Sequence, residues 1–327
     1  MLRYLIRRLL QMIVVLLGIT LLVFSLLHLV PGDPAAVLLG QQATAQDIER
    51  LRRALGLDRP LWYQFAEYTG RAARGDLGRS ISLGGERVTA LIGGRLPATA
   101  ELAVAAMALA VAVGVPVGVL CAVRQYSLVD LVSMSVTQIG VSMPVFWLGI
   151  LFILLFSLQL RWFPTFGRGD PLAGAFVTLL SGRSGPLADS LRHLALPALT
   201  LASTAVVLIA RMVRSTMLEV LGQDYIRTAR SKGLAGRVVT YRHALRNALL
   251  PVITIMGLQA GALLGGAVVT ETIFGWPGLG QLLINAIGQR DFPVIQGVTL
   301  VIALVFSAVN LAVDVTYAWL DPRIRYE

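Results

Sequence analysis

The residues of this chain that could do chemistry are few and badly spaced for it. Its three histidines, His28, His193 and His243, fall at different depths of the apolar pattern. HExxH, which sets two metal ligands one helical turn apart, does not occur, and neither does Gly-x-Ser-x-Gly, the turn that exposes a nucleophilic serine. GxxxxGK[ST] is missing too, so the chain has no P-loop for nucleotide phosphates. Cys121 is the single cysteine, which excludes an intrachain disulfide and a CxxC metal or redox motif. These absences argue against an enzyme. The informative polar residues lie in one stretch, Glu219 to Leu234. There Tyr225, Ile226, Ala229 and Lys232 recur at helical spacing, with Arg230 between them, and Gly233 permits the positive φ that ends a helix before Leu234. A second amphipathic piece, Val238 to Leu250, is expected to end at Pro251. Helices of two or three turns are marginal alone in water, so the apolar face must pack on something, either lipid headgroups or a partner.

The elements that must hold this stretch are apolar. Of 327 residues, 56% are hydrophobic and 14% charged, with a mean hydropathy of +0.74. Soluble domains carry roughly 25% charged residues, so this chain cannot cover itself against water. A helix crosses the hydrocarbon in about 20 residues. Six segments qualify, near Leu9–Val30, Ala98–Cys121, Leu131–Leu158, Leu194–Val213, Leu249–Thr270 and Pro293–Leu320. The expected fold is an all-α membrane protein with six transmembrane helices. Its first part, 1–30, holds the N-terminus and first helix; 31–97 is a long loop, and 98–320 the main membrane domain. Helical spacing at Ile48, Leu51 and Leu55 predicts a small folded cap within that loop. The run Pro171–Leu180 is too short to span and reads as interfacial or re-entrant, and Pro116 and Pro144 are expected to kink their helices.

Arg3, Arg7 and Arg8 precede the first span, whose length exceeds a signal-peptide core, so it reads as an uncleaved helix with a cytosolic N-terminus. Six crossings bring the C-terminus and the loop 214–248 to the same side. That loop carries Arg214, Arg227, Arg230, Lys232, Arg237, Arg242 and Arg246 against Glu219 and Asp224, as the positive-inside rule asks. The formal charge of +10 is therefore assigned to topology and anionic headgroups rather than to nucleic acid.

The segment Glu219-Val-Leu-Gly-Gln-Asp-Tyr-Ile-Arg-Thr-Ala-Arg-Ser-Lys-Gly-Leu234, followed by His243-Ala-Leu-Arg-Asn-Ala-Leu-Leu-Pro251, resembles the cytosolic EAA loop of ABC importer permeases. The version is that of the dipeptide, oligopeptide and nickel importers. Ser231 stands where the family usually has alanine, Arg227 stands six residues before Gly233 in place of a glutamate, and the Gly-to-Pro spacing is longer than in sugar-importer permeases. Other matches follow in order along the chain, among them Pro31-Gly-Asp-Pro34, Gly75-Asp-Leu-Gly78, Arg95-Leu-Pro-Ala-Thr99, Phe146-Trp-Leu-Gly149, Glu271-Thr-Ile-Phe274, Pro277-Gly-Leu-Gly280 and Asp321-Pro-Arg-Ile-Arg325. The long loop after the first span looks like that of the first of the two permeases in such systems.

The resemblance implies half of a translocation pathway in a bacterial or archaeal plasma membrane. The other half comes from a second homologous permease. Two cytosolic ATP-binding subunits hold the ATP and Mg, and an extracytoplasmic binding protein delivers the cargo. Peptide is the expected cargo, nickel or another small solute the alternative. The loop 219–251 becomes a coupling element, with Tyr225, Ile226 and Ala229 as contact positions, Arg230 and Lys232 meeting acidic or backbone acceptors, Gly233 turning the chain, and Leu234 closing the coupling stretch. Gly257, Gly261 and Gly265, four apart, let helices approach closely, and packing against the second permease is the expectation. Glu101 and Arg211 are expected to snorkel from span ends, His28 to be an interfacial histidine, and Asp314, beside Tyr317 and Trp319, to be structural. A secondary transporter is the rival class; it would need no ATPase, and no inverted repeat is visible.

Overall fold

A computed structural model describes residues 2–29, 44–54, 56 and 58–320. In chain order its helices are α1 (Leu2–Leu29), α2 (Ala45–Ala54), α3 (Leu61–Ala72), α4 (Val88–Val123), α5 (Leu128–Ser142), α6 (Val145–Gln159), α7 (Leu172–Leu180), α8 (Gly185–Leu221), α9 (Asp224–Ser231), α10 (Gly236–Phe274), α11 (Leu279–Gly288) and α12 (Phe292–Leu320). Among the described residues the extended structure is one antiparallel bridge, Arg79 with Arg87. An all-helical outcome follows from the solvent, since isolated segments in hydrocarbon can satisfy their backbone groups only internally.

Five helices are long and apolar enough to cross a membrane, and α5 with α6 make a sixth if the pair, bent by 105°, is one span. Pro144 therefore does more than kink. Met143 before it is extended (φ −87°, ψ 130°) because proline disfavours the helical region for its predecessor, and a new helix starts after Pro144. Pro116, by contrast, lies inside the unbroken α4. The predicted boundary at Pro251 is also corrected. The helix runs continuously over Gly236–Phe274, with a wider π-helical stretch at Val239–Leu245 and Pro251 inside it. Continuing the helix satisfies backbone groups that a break at the edge of the apolar zone would strand. The segment Pro31–Pro34, the side chains of Leu55, Asp314, Tyr317 and Trp319, and Asp321–Arg325 lie outside the described residues.

The chain divides into two compact units. One holds residues 1–97 and 277–308. Its core gathers Leu77, Val88 and Ile92 with Leu279, Leu282, Val294 and Val298. A Cβ on Gly297 would come within 2.6 Å of Val88 Cγ1, so glycine is what lets these segments meet. Asp291 is fully buried, and one of its oxygens accepts from the Ser80 hydroxyl at 2.5 Å, the Ile81 and Ser82 amides at 2.9 Å and the Ser82 hydroxyl at 2.8 Å. Its other oxygen accepts from the Val294 amide at 3.3 Å, capping the first turn of α12. The loop between 31 and 97 is thus partly folded, with α2 and α3 in it, as the spacing at Ile48 implied.

Of the described residues, the second unit holds 98–276 and 309–320, and α8 is its central post. Leu201, Ala205, Ile209, Val213 and Met217 of α8 share a core with Leu102, Ala106, Ala110 and Val119 of α4. Gly114 and Gly118 allow that approach, since a Cβ on Gly118 would lie 2.6 Å from the Ala210 carbonyl oxygen. The short α7 packs on α8. Two carboxylates of this unit are paired with arginines. Arg214 of α8 grips Asp130 of α5 through two hydrogen bonds of 2.7 Å, and Glu101, predicted to snorkel, is instead mostly buried against Arg168. Burial is tolerated because the partner guanidinium is there to meet the carboxylate. Arg211 reaches the Gln138 side chain on α5.

Candidate coupling site

The helix α9 sits between the two longest described helices, α8 and α10, and is separated from α8 by Gly222 and Gln223. Gln223 is extended (φ −73°, ψ 150°), which turns the chain into a new helix beginning at Asp224. An eight-residue helix cannot hold itself in water. Its apolar pair solves this: Ile226 is fully buried and Ala229 is 8% exposed, three residues apart on one face. Both belong to the same core as Met217, Val239, Ala244 and Ala248.

This corrects the expected contact face. Ile226 and Ala229 are not free to meet a partner, because the nearest apolar surface, that of their own chain, already covers them. They anchor α9. The open face carries Tyr225 (43% exposed) and Leu234 (41% exposed), with Arg227, Arg230, Lys232 and Gly233 also exposed. The predicted acceptors for Arg230 and Lys232 therefore have to come from outside the apolar core. The Arg227–Asp224 pair, 3.4 Å and solvent-exposed, contributes little.

Two hydrogen-bonded features make the element stiff. The Tyr225 hydroxyl accepts from Asn247 Nδ2 at 2.8 Å, tying α9 to the first turns of α10 after the π-helical stretch. At the other end the Gly233 amide donates to the Arg230 carbonyl at 2.9 Å and the Leu234 amide to the Ala229 carbonyl at 3.4 Å. With φ of +75° at Gly233, this is a Schellman cap, and the predicted turning role of Gly233 has a geometric basis. What the arrangement can do is mechanical. A rigid cationic knob is fastened by core contacts and a side-chain tie to the ends of two long helices. Among the described residues no group of His, Cys, Asp and Glu is placed to hold a metal ion.

The predicted glycine stripe does not act as one surface. Gly257 is buried, and a Cβ there would overlap the Val313 side chain of α12, so its close approach is to this chain rather than to a second permease. Gly261 is buried as well. Gly265 is exposed, and a Cβ on it would meet nothing within 4 Å. The close approach of α4 and α8 at Gly114 and Gly118 escaped the sequence reading although the same four-residue spacing marks it. The Asp130–Arg214 and Glu101–Arg168 pairs carry no local signal, because their members are distant in sequence.

Residues 114–326 match the family described as binding-protein-dependent transport system inner membrane component, and residues 1–103 match the N-terminal family of such membrane components. The dipeptide transport system permease protein DppB of Alkalihalophilus pseudofirmus is 46% identical over 334 residues, covering 100% of each chain. The di/tripeptide transport system permease protein DppB of Pseudomonas aeruginosa is 47% identical, and the glutathione transport system permease protein GsiC of Escherichia coli O6:H1 43% identical, again over 100% of each chain. A chain of the MetNI methionine ABC transporter, solved in an inward-facing conformation, superposes with a TM-score of 0.54 at 19% identity, covering 71% of this chain and 96% of that one. That likeness extends to the fold alone. With both parts of the chain matched and full-length relatives above 40% identity, the chain belongs to the family of binding-protein-dependent transport system inner membrane components.

Proposed function

We propose that this chain is a permease subunit of an ATP-driven importer of short peptides, with α9 as the element that receives motion from an ATPase. The observation that carries this reading is the construction of α9. Its core-anchored, tyrosine-tied and Schellman-capped form can pass a displacement to α8 and α10 without absorbing it, and its exposed basic face suits an acidic groove on another protein. The relatives' printed substrates (dipeptide, di/tripeptide and glutathione) share peptide chemistry and support peptide cargo here.

On this reading the permease works with a second homologous permease, two ATP-binding subunits that hold ATP and Mg, and an extracytoplasmic binding protein. The chain itself is not an enzyme. Both termini and the α9 loop face the cytosol of a bacterial or archaeal inner membrane, with the Arg-rich loop on the side that the positive-inside rule favours. The test is uptake of a labelled dipeptide by proteoliposomes holding the complete transporter with its binding protein. ATP inside should be required for accumulation. Accumulation driven by an ion gradient with no ATP present would overturn the reading in favour of a secondary transporter.

A further inference from the structure

Arg211 is a charge on a membrane-spanning helix that meets no carboxylate. Arg168 and Arg214 of the same unit each pair with an acidic side chain. Arg211 donates instead to the neutral carboxamide of Gln138, and among the described residues it forms no ion pair. We propose that Arg211 and Gln138 form a subsite of the translocation path that binds the C-terminal carboxylate of the cargo, a proposal that rests on the peptide-importer reading.

The pair lies inside the span. Asp130, in the first turn of α5, meets Arg214, and Gln138, eight residues on, meets Arg211, so α5 and α8 run antiparallel. Gln138 stands roughly 12 Å beyond the level of Asp130, at 1.5 Å per residue. Arg211 is only one turn from Arg214 along α8. Its side chain therefore reaches inward along the span, away from the nearer helix end that a snorkelling arginine seeks. Hydrocarbon does not cover a guanidinium held there; water or a polar partner must.

The surroundings are those of a wet path. Leu131, Ser135, Gln138 and Ser142 follow at steps of four, three and four along α5, and all four are exposed. Val132, Val136 and Ile139 form the neighbouring exposed edge. One edge of α5 is thus apolar and the edge beside Arg211 is polar. Ser142 is the last residue of α5, and the 105° break at Met143 and Pro144 follows directly. Non-helical backbone at membrane depth is tolerated where it is buried in protein or lines a water-filled cavity. Chemistry selects the ligand. The Gln138 Oε1 is occupied by Arg211, so the groups left over are donors: the remaining guanidinium N–H groups and the Gln138 Nε2. A carboxylate is anionic and accepts only. Every unblocked peptide ends in one, so a single such subsite serves cargo of any side-chain sequence.

The test is photo-capture by the complete nucleotide-free transporter in detergent, with a benzophenone amino acid in place of Ser142. Labelled dipeptide or its C-terminal amide is added directly, so selection by the binding protein plays no part. The unmodified pair should capture the dipeptide about tenfold or more above the amide, as a hydrogen bond to a charged group allows. Arg211→Gln should abolish that preference while ATP hydrolysis persists, and Arg211→Lys, which keeps the charge, should retain part of it. Equal capture of dipeptide and amide would overturn the subsite, as would an unchanged preference in Arg211→Gln. So would capture of the second permease or of lipid in place of dipeptide. Uptake by proteoliposomes separates the two readings: ATP-driven dipeptide uptake with equal capture overturns the subsite alone, and absence of dipeptide uptake overturns the peptide reading and the subsite with it.

Discussion

Gly233 offers the sharpest residue-level test because its surroundings are empty. A Cβ there meets nothing within 4 Å, so a substitution acts through backbone conformation alone. At φ +75° an L-residue is disfavoured by about 1–2 kcal/mol, while asparagine enters that region more easily. Gly233→Val should therefore lower dipeptide uptake well below that of Gly233→Asn, with both proteins equally abundant in the membrane. The Tyr225–Asn247 tie is the second such residue pair. Tyr225→Phe removes the hydroxyl without disturbing Ile226 or Ala229, at about 1 kcal/mol. The expected result is ATP hydrolysis retained and uptake per ATP reduced, measured on the same proteoliposomes; unchanged coupling would show that the buried pair alone transmits the motion.

At the scale of elements the decisive contacts are close approaches and buried pairs. Gly118→Ala would push a methyl to 2.6 Å from the Ala210 carbonyl and the Val213 side chain, an overpacking of about 1–3 kcal/mol, whereas Gly265→Ala should be neutral. Thermal unfolding in detergent compares the two directly. Asp130→Ala takes both hydrogen bonds from the Arg214 guanidinium, whose side chain is 24% exposed, and should cost about 1.5–3 kcal/mol, the range for hydrogen bonds to a charged group. These contacts also mark what could be read in advance. Hydropathy located the five long apolar helices and the apolar stretch that forms the bent pair α5–α6, since lipid imposes its rule on composition, and the glycine at 233 announced its turn because few other residues accept that φ. The direction in which Ile226 and Ala229 point was not legible. An apolar stripe states only that it must be covered, and the cover came from α8 and α10 of the same chain, which flank it in sequence, rather than from a partner. The break at Pro144 and the continuity through Pro251 show the same limit: proline frees one carbonyl in either case, and neighbouring helices decide whether the chain bends or continues.

For the whole molecule the open geometrical question is whether the bent pair α5–α6 crosses the membrane, and the side on which Lys232 emerges answers it. If the pair crosses, the chain makes six passes and Lys232 lies on the same side as the N-terminus. If the pair re-enters and leaves by the side it came from, every later element is inverted, and Lys232 shares a side with Glu86 of the first long loop. Charge favours six passes, since inversion would place the Arg-rich stretch around α9 on the side opposite Arg3, Arg7 and Arg8. The native background is suited to the measurement, because Cys121 is fully buried. Lys232→Cys and Glu86→Cys are both exposed sites for a membrane-impermeant maleimide applied to intact cells and to inverted vesicles. Glu86→Cys should label from outside the cell and Lys232→Cys only in inverted vesicles. Labelling of both from outside would reduce the passes to five and put α9 out of reach of any cytosolic ATPase, so this one comparison tests the span count and the coupling role together.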